Sequence, residues 1–341
     1  SVSAVIMDPA TGEILALATA PGFDPNNFSH TKASLLKIPS VQDIYEPGST
    51  GKVMTMAAAL EEKVVTPTTV FKTPDKIRRA GKTFNDHDTH PVWKLTATGI
   101  LAKSSNVGTI KISERMSENT LYSYLKKFGI GERVKLGLPA EPAGILHPVE
   151  KWSQSTFPTV SFGQSYSVTA IQATSVFATI ANSGLRVTPT LVAGTSDSSG
   201  HYTAAPRPES RRVISDDVAK QLSLMMESVV QEGGTAVRAG IPGYRVAGKT
   251  GTAQRYDGNC GCYRGYTASF IGFAPADNPA YVVSVAIQEP QGMHWGGALG
   301  GPVFATVMKF VLQSKHIAPS TTKLKAYPLT EAELKKSASA K

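Results

Sequence analysis

Both ends of this chain read as β-hairpins while the middle reads as helix, so a single sheet requires the two ends to meet. At the start, AVIM and EILALA flank the turn DPATG within residues 4 to 19, with Pro9 and Gly12 as punctuation. Towards the other end, YTASFIGFAPADNPAYVVSVAIQ contains strand-like runs at 266–273 and 280–288, separated by Pro275, Asp277, Asn278 and Pro279. After the glycine-rich GGALGGP, the run 303–314 has helical spacing that places Val303, Val307, Phe310 and Val311 on one side.

Between the hairpins, Val53, Met56, Ala57 and Leu60 recur at i, i+3, i+4 and i+7, an amphipathic helix beginning near Gly48. LTATGILAKS, NTLYSYLKKFG, SVTAIQATSVFATIANSG and SDDVAKQLSLMMESVVQEG read as helices too, three of them ending at Gly129, Gly184 and Gly233. Asp216 and Asp217 fall in a first turn, where the helix dipole favours negative charge. The expected fold is α+β: an antiparallel sheet of N- and C-terminal strands packed with helices, plus a mainly helical subdomain, with a cleft between the two parts. Residues 1–314 are expected to form this domain, with 194–210 as a polar surface loop. The segment 315–341, with Lys335, Lys336 and Lys341, is expected to be a flexible basic tail.

Composition matters mainly for what it excludes. With 41% hydrophobic and 18% charged residues, the chain is globular rather than disordered. The net charge of +9 suits an anionic neighbourhood, but no basic stripe is interleaved with aromatics, so nucleic acid is not expected. No run approaches the roughly 18 to 20 apolar residues of a membrane helix, and SVSAVIMDPATG has none of the regions of a signal peptide. This piece therefore reads as soluble, and its abrupt start is compatible with an anchor or upstream domain having been cut away. The two cysteines, Cys260 and Cys262, are too few for a typical zinc site and read as free or paired loop thiols.

Chemistry enters at EPGSTGKVMT, where Ser49 and Lys52 stand three apart at a helix start and therefore share a face. A serine hydroxyl becomes a nucleophile when a neighbouring base takes its proton, and a lysine serves only if burial or another cation lowers its pKa. Alone, S-x-x-K is a common accident. Here KSSNVG follows, with Ser104 and Asn106 on a turn after a helix, and then VAGKTGTAQ, with Lys249, Thr250, Gly251 and Thr252 in a strand-like run. S-x-x-K, S-x-N and K-T-G in that order are the motif set of serine enzymes that react with penicillin.

On these motifs the chain resembles the transpeptidase domain of class B penicillin-binding proteins. The likeness also takes in DPATGEILALA, LGLPAEPAGIL and SFGQSYSVTAIQ and runs from about residue 1 to 314. It implies a serine D,D-transpeptidase. Ser49 would attack the carbonyl between the terminal D-alanines of a peptidoglycan stem peptide, expel D-alanine and hold the peptide as an ester for an incoming amine. Lys52 would be the base, Ser104 would relay a proton to the leaving amine in the field of Lys249, and Asn106 would bind the substrate amide and help orient Lys52. Thr250 and Thr252 would hold the terminal carboxylate. The N–H groups of Ser49 and Thr252 would form the oxyanion hole, and Gly251 would let substrate approach the strand.

The resemblance further implies inhibition by β-lactams, no cofactor, and a partner glycosyltransferase with division or elongation proteins. It places the protein at the extracytoplasmic face of the bacterial membrane, held by an N-terminal anchor absent from this chain. Two positions depart from the family's usual residues. Gly51 stands where phenylalanine is frequent, which is expected to loosen the nucleophile's helix, and Ser165 replaces a frequent glycine.

Competing readings use the same residues: a D,D-carboxypeptidase, a β-lactam sensor, or a β-lactamase. For the last, Glu141-Pro142 stands at a suggestive distance after Asn106, but position 145 is Ile rather than Asn. FNDHDTH offers Asp86, His87, Asp88 and His90 as metal ligands, yet the proposed chemistry needs no metal and none is expected.

Overall fold

The computed structural model describes residues 1–257 and 260–339. The elements that position the site are, in chain order, β1 (Val2–Met7), β2 (Ile14–Ala20), α1 (Lys52–Glu61), β3 (Lys76–Arg79), β4 (Lys82–Asn85), α2 (Ala97–Lys103) and α3 (Asn106–Ser113). They continue with α4 (Ala170–Ala181), α5 (Asp216–Glu227), β5 (Ala247–Asp257), β6 (Cys262–Ala274), β7 (Tyr281–Gln288), α6 (Gly296–Ser314) and α7 (Glu331–Ser339).

The two ends of the chain meet as expected. One five-stranded antiparallel sheet runs β5-β6-β7-β1-β2, with β1 inserted beside β7 in the register Val5↔Ser284. Helices cover both faces. Ile271 and Ser284 are register partners, so Phe270, one residue away on β6, points to the opposite face. On one face Thr174 of α4 donates to the Ser284 hydroxyl at 2.8 Å, and on the other the Phe270 ring packs edge-on against Phe304 of α6. The helical part is built around α1, buried from Lys52 through Leu60.

Three expectations are corrected. The helix expected from Val303 begins instead at Gly296 and buries Phe304, Met308, Val311 and Leu312, leaving Val303 and Phe310 exposed. The glycine-rich lead belongs to the helix because it lies against β6: a Cβ on Gly300 would sit 2.9 Å from Phe270 N. The segment after 314 is held along the domain rather than free. Thr96 donates to the Leu329 carbonyl at 3.0 Å, Ser320 accepts from Arg245 N at 2.9 Å, and Ile317 and Tyr327 pack on the core. Lys335 and Lys336 lie in α7, and Lys341 lies outside the described residues. The loop 194–210 contains a small strand pair, Gly194–Ser196 with Tyr202–Ala204.

Gly51 does not loosen α1, because the space beside it is filled. A Cβ there would lie 2.3 Å from the Tyr166 hydroxyl and 2.9 Å from Gly163 Cα, both in the segment packed over the turn that carries Ser49. Gly51→Phe is therefore expected to lower stability by roughly 1–3 kcal/mol through overpacking. Thermal melting checks this, and a variant as stable as the parent would show that Tyr166 moves aside freely. Ser165 has φ +64°, a left-handed backbone that suits glycine, and is held there by its N–H on Glu46 Oε1 (2.8 Å) and its hydroxyl on Thr159 (2.7 Å).

Candidate active site

Three segments bring the motifs together at the edge of the sheet, the first two of them loops. The first is the turn Gly48–Gly51, a 3₁₀ turn running directly into α1, so Ser49 precedes the α-helix and Lys52 opens it. This turn is pressed between β5 and residues 163–166. Gly48 N donates to Gly163 O at 2.8 Å, and a Cβ on Gly48 would meet Ala253 Cβ at 2.9 Å. Glu46, just upstream, accepts from Ser165 N and, at 3.3 Å, from the Tyr263 hydroxyl of β6.

The second loop joins α2 to α3. Ser104 caps α2 with φ +58°, a strained conformation for a residue with a Cβ, which persists only where surrounding contacts enforce it. The third is β5 itself, whose Lys249 side chain crosses to the same place. Lys249 Nζ donates to Ser104 Oγ at 2.8 Å, while Lys52 Nζ donates to Ser104 O at 2.5 Å and Ser104 Oγ at 3.3 Å. One serine thus bridges the two lysines.

Both lysines are almost fully buried, at 1% and 0% exposure. Burial lowers the Lys52 amine to about 7, opposed by the negative charge of Asp86. Burial, reinforced by the positive charge of Lys52, holds Lys249 well below the usual lysine range.

A cleft of about 810 Å³ opens above this triad, lined by Ser49, Ser104, Asn106, Thr250 and Thr252 among others. Two expected contacts differ. Lys52 turns to Ser104 rather than to the Ser49 hydroxyl, and Asn106 Nδ2 donates to Asn85 O at 2.9 Å rather than orienting Lys52. The reason given for Gly251 also changes. A Cβ there would strike Ser269 Oγ at 2.3 Å and the Pro47–Thr50 turn, so the glycine serves internal packing rather than substrate approach. Glu141 accepts from Leu138 N in its own loop and lies outside the cleft lining.

Sequence reasoning missed several neighbours. Thr235 shares a 2.9 Å hydrogen bond with Thr250, and Gly296 N donates to Thr252 Oγ1 at 3.1 Å. Trp295 and His87, both in the cleft lining, meet edge to face with ring centroids 3.8 Å apart. The only available signal was the Gly-Gly pair before Thr235 and after Trp295, which marks close backbone approach: a Cβ on Gly297 would lie 2.0 Å from Thr235 O. In FNDHDTH, Asp86 and His90 bond to each other and Asp86 accepts from Ser105 of the α2–α3 loop, and among the described residues no cluster is arranged to hold a metal. Cys260 and Cys262 are joined by a disulfide at the base of β6.

Known proteins resemble this chain along most of its length. Residues 2–309 match the family model for the penicillin-binding protein transpeptidase domain. The chain is 39% identical over 328 residues to penicillin-binding protein PbpB of Mycolicibacterium smegmatis, covering 93% of this chain and 51% of that protein. It is 36% identical over 324 residues to the peptidoglycan D,D-transpeptidase FtsI of Escherichia coli K12, covering 94% and 52%. The chain thus spans about half the length of the curated relatives it matches. A crystal structure of penicillin-binding protein 3 from Mycobacterium tuberculosis complexed with aztreonam superposes with a TM-score of 0.89 at 38% identity, covering 96% of this chain and 75% of that one. From the extent of the family match, and from relatives aligned along nearly its whole length, this chain belongs to the penicillin-binding protein transpeptidase domain family.

Proposed function

We propose that this domain is a serine D,D-transpeptidase that cross-links peptidoglycan stem peptides through an ester on Ser49, with release of D-alanine. The observation that carries this reading is Ser104 bridging two buried lysines at the floor of a cleft that Ser49 lines. A neutral Lys52 has two N–H donors and one lone pair. With the donors on Ser104 O and Oγ, the lone pair is left to accept the Ser49 proton. Ser104 Oγ in turn accepts from both amines, which leaves its own proton for the leaving amine.

Lys249 completes the logic. Burial disfavours its charge, whereas a substrate carboxylate beside it favours the ammonium form. An anionic substrate therefore places the cation at Lys249 and leaves Lys52 as the base. Thr250 and Thr252, with Thr235 fixing the former, would hold that carboxylate, and Asn106 would take the substrate amide. The N–H groups of Ser49 and Thr252 would receive the oxyanion, a contribution of about 3 to 4 kcal/mol per donor in comparable sites.

The cleft lining supplies no glutamate to activate water, since Glu141 is held in its own loop, and this favours a lasting ester over a β-lactamase. Acting on stem peptides puts the domain outside the cytoplasmic membrane. No helix among the described residues is long and apolar enough to cross a membrane, so attachment would come from elsewhere in a longer protein, alongside a glycosyltransferase and division or elongation partners. Intact-mass measurement after incubation with a penicillin tests the reading. One adduct mapping to Ser49 and persisting for many minutes is expected. Loss within seconds would favour a β-lactamase, and an adduct on another residue would overturn the assignment.

A further inference from the structure

The segment Asp86 to His90, between β4 and Trp93, faces the S-x-N loop and has no part in the chemistry above. Its anchor is Asp86, whose side chain is only 5% exposed. One carboxylate oxygen, Oδ1, accepts from Val107 N at 2.9 Å, in the first turn of α3. The other, Oδ2, accepts from the Ser105 hydroxyl at 2.6 Å and faces His90 Nε2 at 3.1 Å. Ser105 and Val107 flank Asn106, and Ser105 follows Ser104 directly. Asp86 therefore grips the backbone that sets both S-x-N side chains.

The grip is itself held rigid. Asp86 N donates to Asp75 O at 2.7 Å, and the adjoining Asn85 carbonyl receives the Asn106 amide. His90 is fixed from both sides: Nδ1 lies 2.7 Å from Pro91 O, and the ring stacks on Trp93 at 3.5 Å and 4°. A strained left-handed Ser104 needs this kind of enforcement from its neighbours.

We infer that Asp86 is a positioning residue for the acylation step, fixing the Ser104–Asn106 turn and supplying the negative charge that acts on Lys52. This rests on Ser49 and Lys52 being nucleophile and base. The charged groups bearing on Lys52 are Lys249 from β5 and Asp86 from this loop, the carboxylate being faced in turn by His90. The carboxylate supports the protonated amine, so its removal makes Lys52 easier to deprotonate.

The test is the rate of penicillin acylation against pH for the parent, Asp86→Asn and Ser105→Ala, with melting curves alongside. Asp86→Asn is expected to move the acid limb to lower pH, an effect that merely loosening the fold would not produce. Ser105→Ala keeps the charge and loses two hydrogen bonds, the one to Asp86 Oδ2 and the helix cap on Gly108 N. It should lower the pH-independent plateau, by up to roughly 10²-fold if Ser104 shifts by about 1 Å, with the limb in place. A folded Asp86→Asn with an unmoved limb would overturn the inference, as would an unchanged plateau in Ser105→Ala. If Asp86→Asn fails to fold, Ser105→Ala decides. Failure of the underlying reading looks different, since the parent itself would then form no adduct on Ser49.

Discussion

Ser49→Ala is expected to form no penicillin adduct at all, and Lys52→Gln to form the adduct at Ser49 about 10²- to 10⁴-fold more slowly than the parent. The first variant lacks the attacking oxygen. The second keeps a polar side chain with N–H donors, one bond shorter, but its amide nitrogen offers no lone pair to a proton. The two changes therefore separate nucleophile from base. They also differ in pH dependence. Below about 7 the Lys52 amine is protonated and cannot accept, so parent acylation should rise with pH through that value and then level off. Lys52→Gln should lack that limb. Time-resolved mass spectrometry between pH 5.5 and 9 measures both effects, and a Lys52→Gln rate within tenfold of the parent would remove Lys52 from the role of base.

Periodicity and motif order made the sheet and the candidate site legible, because both depend on local spacing. Strand-like runs around turn residues marked the terminal hairpins, and the three motifs carried Ser49, Lys52, Ser104 and Lys249 into one site. What stayed hidden depends on contacts between distant segments. The face of α6 could not be chosen from sequence, since several apolar sets fit a helix and only the sheet selects Phe304 and Met308. The segment after 314 looked like a tail because its hold on Thr96 and Arg245 runs largely through backbone groups and small hydroxyls, which carry no hydrophobic signature. Gly51 looked like a loss of packing, yet the compensating Tyr166 lies more than a hundred positions along the chain. Asp86 stood out in FNDHDTH for its chemistry, while its partners Ser105 and Val107 became visible only with the loop folded against α3.

Gly163→Ala is expected to damage both stability and acylation, for a reason that lies in the turn carrying Ser49. Gly163 has φ +89°, and a Cβ there would lie 1.8 Å from the Gly48 carbonyl oxygen and 2.6 Å from its carbon. The obstruction is backbone, so no rotamer relieves it. Gly48 is joined to the same residue by its N–H and is wedged on its other side against Ala253. Relief must come from moving the Gly48–Gly51 turn, and Ser49 moves with it. Left-handed strain and overpacking together amount to roughly 3 kcal/mol, about 4 °C in Tm for a chain of this size. A displacement of Ser49 near 1 Å would slow acylation by roughly 10²-fold. Gly137→Ala separates the two causes, because Gly137 has a comparable φ of +80° and nothing within 4 Å of its added Cβ. It should lose only the strain, about 1 kcal/mol, and acylate at the parent rate. If both variants lose the same stability and acylate normally, the contact between Gly163 and Gly48 does not set the position of Ser49.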